Sequence, residues 1–419
     1  MHLVLKATFC SRLILVCAIL AFGLTLASAA DDPLAAARAS LERIQTLRKE
    51  RPSDGVLIFY QALLQLRLGE REPAFALLQS LKGRKLGLIP YRGGEFDAVW
   101  DDPKFRELRK ALEDEEPQTP VAPVAFRLKD PKLIPEGIAF DPKNNRFFIG
   151  SIAQRKIVVT DSNGDARDFS SSSDKLEGVL GLRVDPAHGY LYAVSTNGSD
   201  ASAQKERRNE IVRYNLTTGR LIDRFPAPDA MQLNDLAVAA DGTLYVTDSD
   251  GGTLFCKKPN EKALTPFGAT GALRGANGIT LSADGPLYVA ISTGIARIDL
   301  ITGEPARLSQ PDTVVTGGID GLYWHNGDLF GVQNGTNPGR VIRLSLTDKG
   351  SRISGLTVLQ SHRHPEFDEP TTGAIAHDAL NVIGNSYVSH YQPDGSIKDS
   401  VELKGTAIVA VPLQSKSRN

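Results

Sequence analysis

Two spacings of hydrophobic residues divide this sequence into two regions. Up to about residue 116, apolar residues recur every three or four positions, which is the spacing of one face of an α-helix. The first such series is Leu34, Ala37, Leu41, Ile44 and Leu47. Beyond about residue 123, apolar residues come in short β-rich runs that Gly, Asn and Asp interrupt. The sequence therefore predicts a small helical region, residues 31–116, followed by a larger β region.

Three further helices are expected in the helical region, over Val56–Leu68, Glu72–Leu81 and Phe96–Leu112. The first two resemble one hairpin of the tetratricopeptide type. A stable array of such repeats usually needs about three of them. A single hairpin leaves two interpretations open: a cap packed on the β region, or a surface that binds a protein partner.

One motif recurs six times in the β region, residues 124–415. This region follows an acidic and Pro-rich stretch, 113–123, of which residues 117–123 are predicted to be a linker. The motif is a turn residue, a small residue, an apolar triplet, a polar turn and an aromatic-rich strand. Its copies lie 43 to 54 residues apart and begin at Glu136, Leu180, Asn234, Asn277, Asp320 and Gly373. Repeats of about 40 to 50 residues without helices are typical of four-stranded propeller blades. The fold class predicted is mainly β: a six-bladed β-propeller preceded by the helical region, with Val124–Leu128 pairing beside Ala407–Pro412 to close the ring.

Residues 1–30 are predicted to be a signal peptide rather than part of the fold. The apolar run Leu13–Leu26 follows a basic start and precedes small residues suited to cleavage near Ala29-Ala30. It is shorter than the roughly 20 residues of a membrane span. We therefore expect an exported protein, periplasmic or secreted, without membrane insertion. The chain has 48 Lys and Arg against 49 Asp and Glu and no basic block, which argues against nucleic acid as a partner.

The residue just before each inner strand of a propeller lies at the mouth of the central channel, so equivalent residues of the six blades converge. Four of the six are oxygen donors, namely Glu136, Asn234, Asn277 and Asp320. Such a cluster is costly unless a cation occupies it. Oxygen donors without His or Cys favour Ca²⁺ or similar hard ions, so we expect one divalent cation, Ca²⁺ first, with Zn²⁺, Mg²⁺ and Mn²⁺ as alternatives. The competing interpretation is that Asn-Gly and Asp-Gly are ordinary turn dipeptides.

The ordered set of short motifs at these positions resembles the senescence marker protein-30/gluconolactonase family over about Val124–Pro412. The motifs are Pro135-Glu136-Gly137, Asn234-Asp235, Ala276-Asn277-Gly278 and Ile319-Asp320-Gly321. The resemblance implies a six-bladed propeller, a divalent ion held by Glu136, Asn277 and Asp320 with Asn234 close by, and hydrolysis of lactones. The sugar-lactone hydrolases of that family carry an Arg where this chain has Gln232, so the sugar pocket is expected to differ.

The function these observations favour is hydrolysis of a small lactone or ester by a metal ion and an activated water. The resemblance assigns the role of base to Asp320, and Asp235 is the second catalytic candidate, as an orienting group. Gln232, His362 and His364 are weaker candidates for contact with the substrate. No Gly-x-Ser-x-Gly motif is present, which argues against a serine nucleophile. The alternative is a non-catalytic binding or scaffold propeller in which the ion has a structural role.

Overall fold

The structure is a computed structural model that describes most of the chain. Its described residues are 34–161, 163–198, 206–283, 285–392, 396–398 and 402–414. The predicted signal peptide, residues 1–30, lies outside them. Within the described ranges, no helix is both long enough and apolar enough to cross a membrane.

Among the described residues, four α-helices precede the strands. They are α1 (Ala35–Glu50), α2 (Gly55–Arg67), α3 (Arg71–Gln79) and α4 (Pro103–Asp114). The single helix expected over Phe96–Leu112 is wrong, because a short 3₁₀ helix, Glu95–Val99, is separated from α4. The break lies at Asp102, whose backbone is extended. Its side chain caps α4 by accepting hydrogen bonds from the N–H groups of Lys104 and Phe105. Pro103 then takes the first helical position, where its missing N–H costs nothing.

In the part of the chain that the structure describes, twenty-four strands form six four-stranded antiparallel sheets, the six blades of a β-propeller. The innermost strands are β2 (Pro135–Asp141), β6 (Gly178–Asp185), β10 (Leu233–Val238), β14 (Ile279–Leu281), β18 (Ile319–His325) and β22 (Gly373–Ala376). The second strands are β3 (Arg146–Ser151), β7 (Tyr190–Thr196), β11 (Leu244–Asp248), β15 (Leu287–Ile291), β19 (Asp328–Gln333) and β23 (Ala379–Ile383). The third strands are β4 (Lys156–Thr160), β8 (Asn209–Asn215), β12 (Thr253–Lys257), β16 (Gly294–Ile298), β20 (Arg340–Thr347) and β24 (Ala407–Pro412). The outermost are β5 (Ala166–Asp168), β9 (Leu221–Pro226), β13 (Thr265–Pro266), β17 (Pro305–Arg307), β21 (Arg352–Gln360) and β1 (Val124–Arg127).

The first strand of the propeller completes the last blade. β1 pairs antiparallel with β24, with Val124 opposite Val409 and Arg127 opposite Ala407. The predicted ring closure is therefore confirmed. It joins the two ends of the propeller and leaves neither β1 nor β24 without a partner along that edge.

Glycines that follow the candidate metal ligands allow neighbouring inner strands to approach closely. Gly137 lies within β2, and an added Cβ there would stand 1.9 Å from the carbonyl oxygen of Leu180 in the next blade. At Gly278, just before β14, an added Cβ would stand 2.2 Å from the carbonyl oxygen of Asp320. Neither glycine has a positive φ. At Asn277-Gly278, glycine is therefore required by packing between blades and not by a turn.

The helical region packs against the fifth blade. The N–H of Ile89 donates to the carbonyl of Thr336 at 3.1 Å, and the amide of Asn337 donates to the carbonyl of Gly87 at 2.9 Å. Thr336 and Asn337 lie between β19 and β20, at the end of the blade where the inner strands begin. Val315, from the same end of the propeller, belongs to the hydrophobic core of the helices. The helices thus rest on the face that carries the candidate site.

Candidate metal centre

The four predicted oxygen donors lie at the beginnings of the inner strands of four blades. Glu136, Asn234 and Asp320 are the second residues of β2, β10 and β18, and Asn277 lies two residues before β14. Adjoining blades are joined at this level, since the N–H of Gly278 donates to the carbonyl of Asp320 at 2.8 Å. The negative charge of Asp320 also acts on Glu136, as the pKa values below reflect.

Three of these donors present a buried oxygen without a hydrogen-bond partner. Eleven buried side-chain nitrogen or oxygen atoms among the described residues lack one, and three of them are Glu136 Oε2, Asn277 Oδ1 and Asp320 Oδ1. Glu136 is 6% exposed and Asp320 is 7% exposed. Buried acceptors without partners cost about 1–3 kcal/mol each. Their coincidence at one channel mouth is the arrangement that a bound cation would satisfy.

Side chains from the second strands and their loops orient the donors. The amide nitrogen of Asn234 donates to Ser249 Oγ at 2.9 Å, which leaves the Asn234 Oδ1 as the free end of the amide. The amide nitrogen of Asn334 donates to Asp320 Oδ2 at 2.7 Å. Ser249 and Asn334 follow strands β11 and β19, and no motif in the sequence singles them out. Only the antiparallel pairing of each blade brings them beside the inner strand.

Both carboxylate oxygens of Asp235 already accept hydrogen bonds from the protein. Its Oδ2 accepts from Arg183 Nη2 at 2.8 Å and from the N–H of Ile279 at 3.3 Å, while Oδ1 accepts from the N–H of Leu236 at 2.8 Å. Arg183 comes from β6 of the second blade, where the predicted site has no donor. Its positive charge balances Asp235. The carboxylates of Glu136 and Asp320 therefore remain uncompensated, with a total charge that matches a divalent cation.

Burial dominates the protonation equilibria of this cluster. The pKa of Glu136 is raised well above its ordinary value by burial, then by the charges of Asp320 and Asp235. Burial likewise raises the pKa of Asp320 to about 6, although the hydrogen bond from Asn334 opposes the shift. Burial also raises the pKa of Asp235, against the opposing charge of Arg183. Burial thus disfavours the ionised form of this cluster.

The three weaker candidates make other contacts. His364 Nε2 lies 2.9 Å from the carbonyl of Ala122, and its Nδ1 accepts from the N–H of Glu366 at 3.1 Å. His362 Nε2 lies 3.5 Å from Glu113 Oε1 at the end of α4. These contacts bring both histidines to the segment that joins the helices to the propeller. Gln232 is buried, and its main-chain N–H donates to Asp248 Oδ1 at 2.8 Å.

The donor chemistry decides which kind of ion this cluster could hold. In the part of the chain that the structure describes, no three His, Cys, Asp or Glu side chains are grouped so that they could bind a metal. A site at the channel mouth would depend on the amide oxygens of Asn234 and Asn277 beside two carboxylates. Such an all-oxygen set suits Ca²⁺ better than Zn²⁺.

Comparisons with known proteins agree with the fold. A family model described as a repeat of unknown function (DUF6923) matches residues 181–370, less than half of the chain. No curated protein matches the sequence. The major Malassezia sympodialis allergen Mala s 1 is 14% identical, with a TM-score of 0.53 over 70% of this chain and 96% of that one.

Two enzymes are also among the similar solved structures. One is the PQQ-bound aldose sugar dehydrogenase of Streptomyces coelicolor, with a TM-score of 0.49 and 14% identity over 70% of this chain and 98% of that one. The other is the gluconolactonase XC5397 of Xanthomonas campestris, with a TM-score of 0.44 and 17% identity over 65% of this chain and 96% of that one. Of these likenesses, only that to the Mala s 1 allergen has a TM-score above 0.5, and at 14% identity it bears on the fold alone.

Proposed function

We propose that this protein is a metal-dependent hydrolase of a small lactone or ester. The proposal is carried by the three buried oxygens without hydrogen-bond partners, on Glu136, Asn277 and Asp320. A divalent cation would satisfy all three and would balance the two uncompensated carboxylates. The resemblance of the same residues to the gluconolactonase family supports hydrolysis as the reaction.

Glu136, Asn277 and Asp320 would hold the ion, Ca²⁺ in the first instance, with Asn234 beside them. When bound, a divalent ion supplies a Lewis acid that polarises the carbonyl of a substrate. The chain itself supplies orientation: Asn334 fixes Asp320 through Oδ2, so Oδ1 keeps a fixed direction. Asp235 is a positioning residue, because its oxygens already accept from Arg183 and from two main-chain N–H groups.

Asp320 is the proposed general base. A carboxylate oxygen has two lone pairs, so Asp320 Oδ1 can face an ion and still accept a proton from water. In the protein alone, burial raises the pKa of this carboxyl to about 6. A bound cation would lower that pKa and favour the ionised form, which is the form that accepts a proton from water.

A non-catalytic propeller with a structural ion is the second candidate function. The observation that favours it is the burial of the donors, since Glu136, Asn234 and Asp320 are each 6% or 7% exposed. An ion held so deeply would stabilise the ring of blades whether or not a substrate reached it. A protein partner for the helical region belongs to this alternative.

A screen of lactones and aryl esters, with chelator and with Ca²⁺ restored, tests the two functions against each other. We expect turnover that chelator abolishes and Ca²⁺ recovers. Asp320→Asn should abolish turnover at saturating Ca²⁺. Asp241→Asn is the control, because Asp241 lies in an exposed turn of the third blade, where it accepts from the N–H of Thr243. Turnover that survives both chelator and Asp320→Asn would contradict the hydrolase, and a bound ion without any turnover would favour the structural role.

A further inference from the structure

Arg274 occupies a fixed position close in sequence to the candidate metal centre. It lies in the loop between β13 and β14, three residues before Asn277. Its carbonyl accepts from the N–H of Ser292 at 3.1 Å, and the neighbouring Leu273 donates its N–H to the carbonyl of Gly252 at 2.8 Å. The loop is thus held to the same end of the propeller as the oxygen donors.

The guanidinium of Arg274 lacks the partners that half-buried arginines normally have. Its Nε is buried without a hydrogen-bond partner. Within the described ranges, its guanidinium nitrogens take part in none of the hydrogen bonds or ion pairs of the structure. Arg183 and Arg307, which are also half-buried, pair with Asp235 and Asp54 respectively. Leaving a buried N–H unsatisfied costs about 1–3 kcal/mol. A ligand that accepts a hydrogen bond from Arg274 would remove this cost.

A second arginine makes this position more unfavourable for a cation. The pKa of Arg274 is lowered first by burial and then by the positive charge of Arg43 on α1. Arg43 belongs to the helical region, so this loop of the propeller faces α1. An anion bound at Arg274 would offset the positive charge there.

We propose that Arg274 binds the carboxylate of an anionic substrate beside the candidate metal centre. A guanidinium presents two parallel N–H donors that match a carboxylate. Three residues of extended chain span at most about 11 Å, so the Cα atoms of Arg274 and Asn277 cannot be farther apart than that. The substrate class proposed is a small lactone or ester that carries a carboxylate in addition to the carbonyl that reacts.

The reaction assigned to this substrate rests on the proposed hydrolase, whereas the anion site does not. Water adds to the ester carbonyl carbon, the bond from that carbon to the alkoxy oxygen breaks, and the alcohol leaves with a proton. The product of a carboxylate-bearing lactone is a hydroxy dicarboxylate. No oxidant or reductant is required.

Two lactones and three variants test the assignment. γ-Butyrolactone is neutral, and 5-oxotetrahydrofuran-2-carboxylate carries the same ring with a carboxylate. We expect a higher kcat/KM for the second, which Arg274→Met lowers at least tenfold, with less than a twofold change for γ-butyrolactone. Arg274→Lys should retain an intermediate preference and carries the test if Arg274→Met fails to fold. Arg297→Met is the control, a half-buried arginine on β16 of the same blade that should leave both substrates unchanged.

Binding of glutarate by calorimetry, with and without chelator, gives a readout independent of turnover. Arg274→Met should weaken glutarate binding at least tenfold, and its melting temperature should equal or exceed that of the wild type, because an unsatisfied charge has been removed. Equal use of both lactones with no effect of Arg274→Met overturns the anion site but leaves the hydrolase standing. Glutarate binding that depends on Arg274 in a protein that hydrolyses no lactone supports the anion site and overturns the hydrolase. Tighter binding of inorganic phosphate than of glutarate overturns the carboxylate assignment. If Arg274→Met lowers the melting temperature more than Arg297→Met does, the role of Arg274 in binding a ligand is overturned.

Discussion

A buried ion pair, Arg340–Glu116, joins the end of the helical region to the propeller, and it offers a quantitative test of how the two are coupled. Arg340 Nη1 lies 3.0 Å from Glu116 Oε2, and the two side chains are 2% and 1% exposed. Arg340 also donates through Nε to Gln333 Oε1 at 2.8 Å and through Nη2 to the carbonyl of Leu86 at 3.1 Å. The perturbation we consider is Glu116→Gln, which removes the negative charge and keeps the shape.

The expected cost of Glu116→Gln follows from the burial of its partner. A guanidinium that is 2% exposed cannot regain hydration when its counter-charge is lost. Removing one partner of a buried pair typically costs about 3–5 kcal/mol. Because Gln still offers one acceptor, we expect a loss of about 3 kcal/mol in the free energy of unfolding. The double variant Glu116→Gln/Arg340→Met should recover part of this, since no unpaired charge remains.

Urea denaturation of the wild type, both variants and a control measures these changes. Glu113→Gln is the matched control, because its carboxylate is 43% exposed and faces His362 at 3.5 Å. An exposed pair of that kind contributes about 0–1 kcal/mol. A loss below about 1 kcal/mol in Glu116→Gln, or a double variant no more stable than the single one, would refute the reasoning.

Three further predictions concern the channel mouth. Purified protein should hold about one divalent ion per chain. Because an ion at a hundredfold excess over Kd stabilises the folded state by about 2.7 kcal/mol, chelator should lower the melting temperature and Ca²⁺ should restore it. A melting temperature that calorimetry finds unchanged by chelator would contradict the site. Without metal, the raised pKa of Asp320, about 6 against 3.8, means that the folded protein binds more protons than the unfolded one between those values. Its melting temperature should therefore fall as pH rises through that window, more steeply than in Asp320→Asn; equal slopes contradict the assignment. The resemblance noted in the sequence places Gln232 where sugar-lactone hydrolases have an arginine. Gluconolactone should therefore have a lower kcat/KM than an apolar γ-lactone, and a clear preference for gluconolactone would argue against this.

The repeat pattern was sufficient to predict the blades because each blade is a local structure. The motifs beginning at Glu136 and Asn234 each lie at the beginning of an inner strand, as their spacing indicated. Hydrophobic alternation and turn residues act within about fifty residues, so the sequence carries them directly. The helix expected over Phe96–Leu112 failed for an equally local reason, since the capping role of Asp102 outweighs the apolar spacing around it.

The partners of the site were beyond prediction because they come from other strands and blades. No motif in the sequence distinguishes Arg183. It lies in the second blade, where the position equivalent to the predicted metal ligands is Leu180, which has no oxygen in its side chain. Its pairing with Asp235 joins residues 52 positions apart in the chain. Asn334 reaches Asp320 only because β18 and β19 are neighbours. Sequence spacing can indicate which positions converge, but the balance of charge among them depends on the registers of several sheets.

One loop links the helical region to the proposed base. The loop between β19 and β20 begins with Asn334, whose amide holds Asp320 Oδ2, and continues through Thr336 and Asn337, which bond the main chain of the helical region at Ile89 and Gly87. A displacement of the helices would therefore act on the same short loop that orients Asp320. The charge of Arg43 on α1 also acts on Arg274. The helical region thus borders the proposed anion site, and its hydrogen bonds to the loop that carries Asn334 contribute to the position of the proposed base.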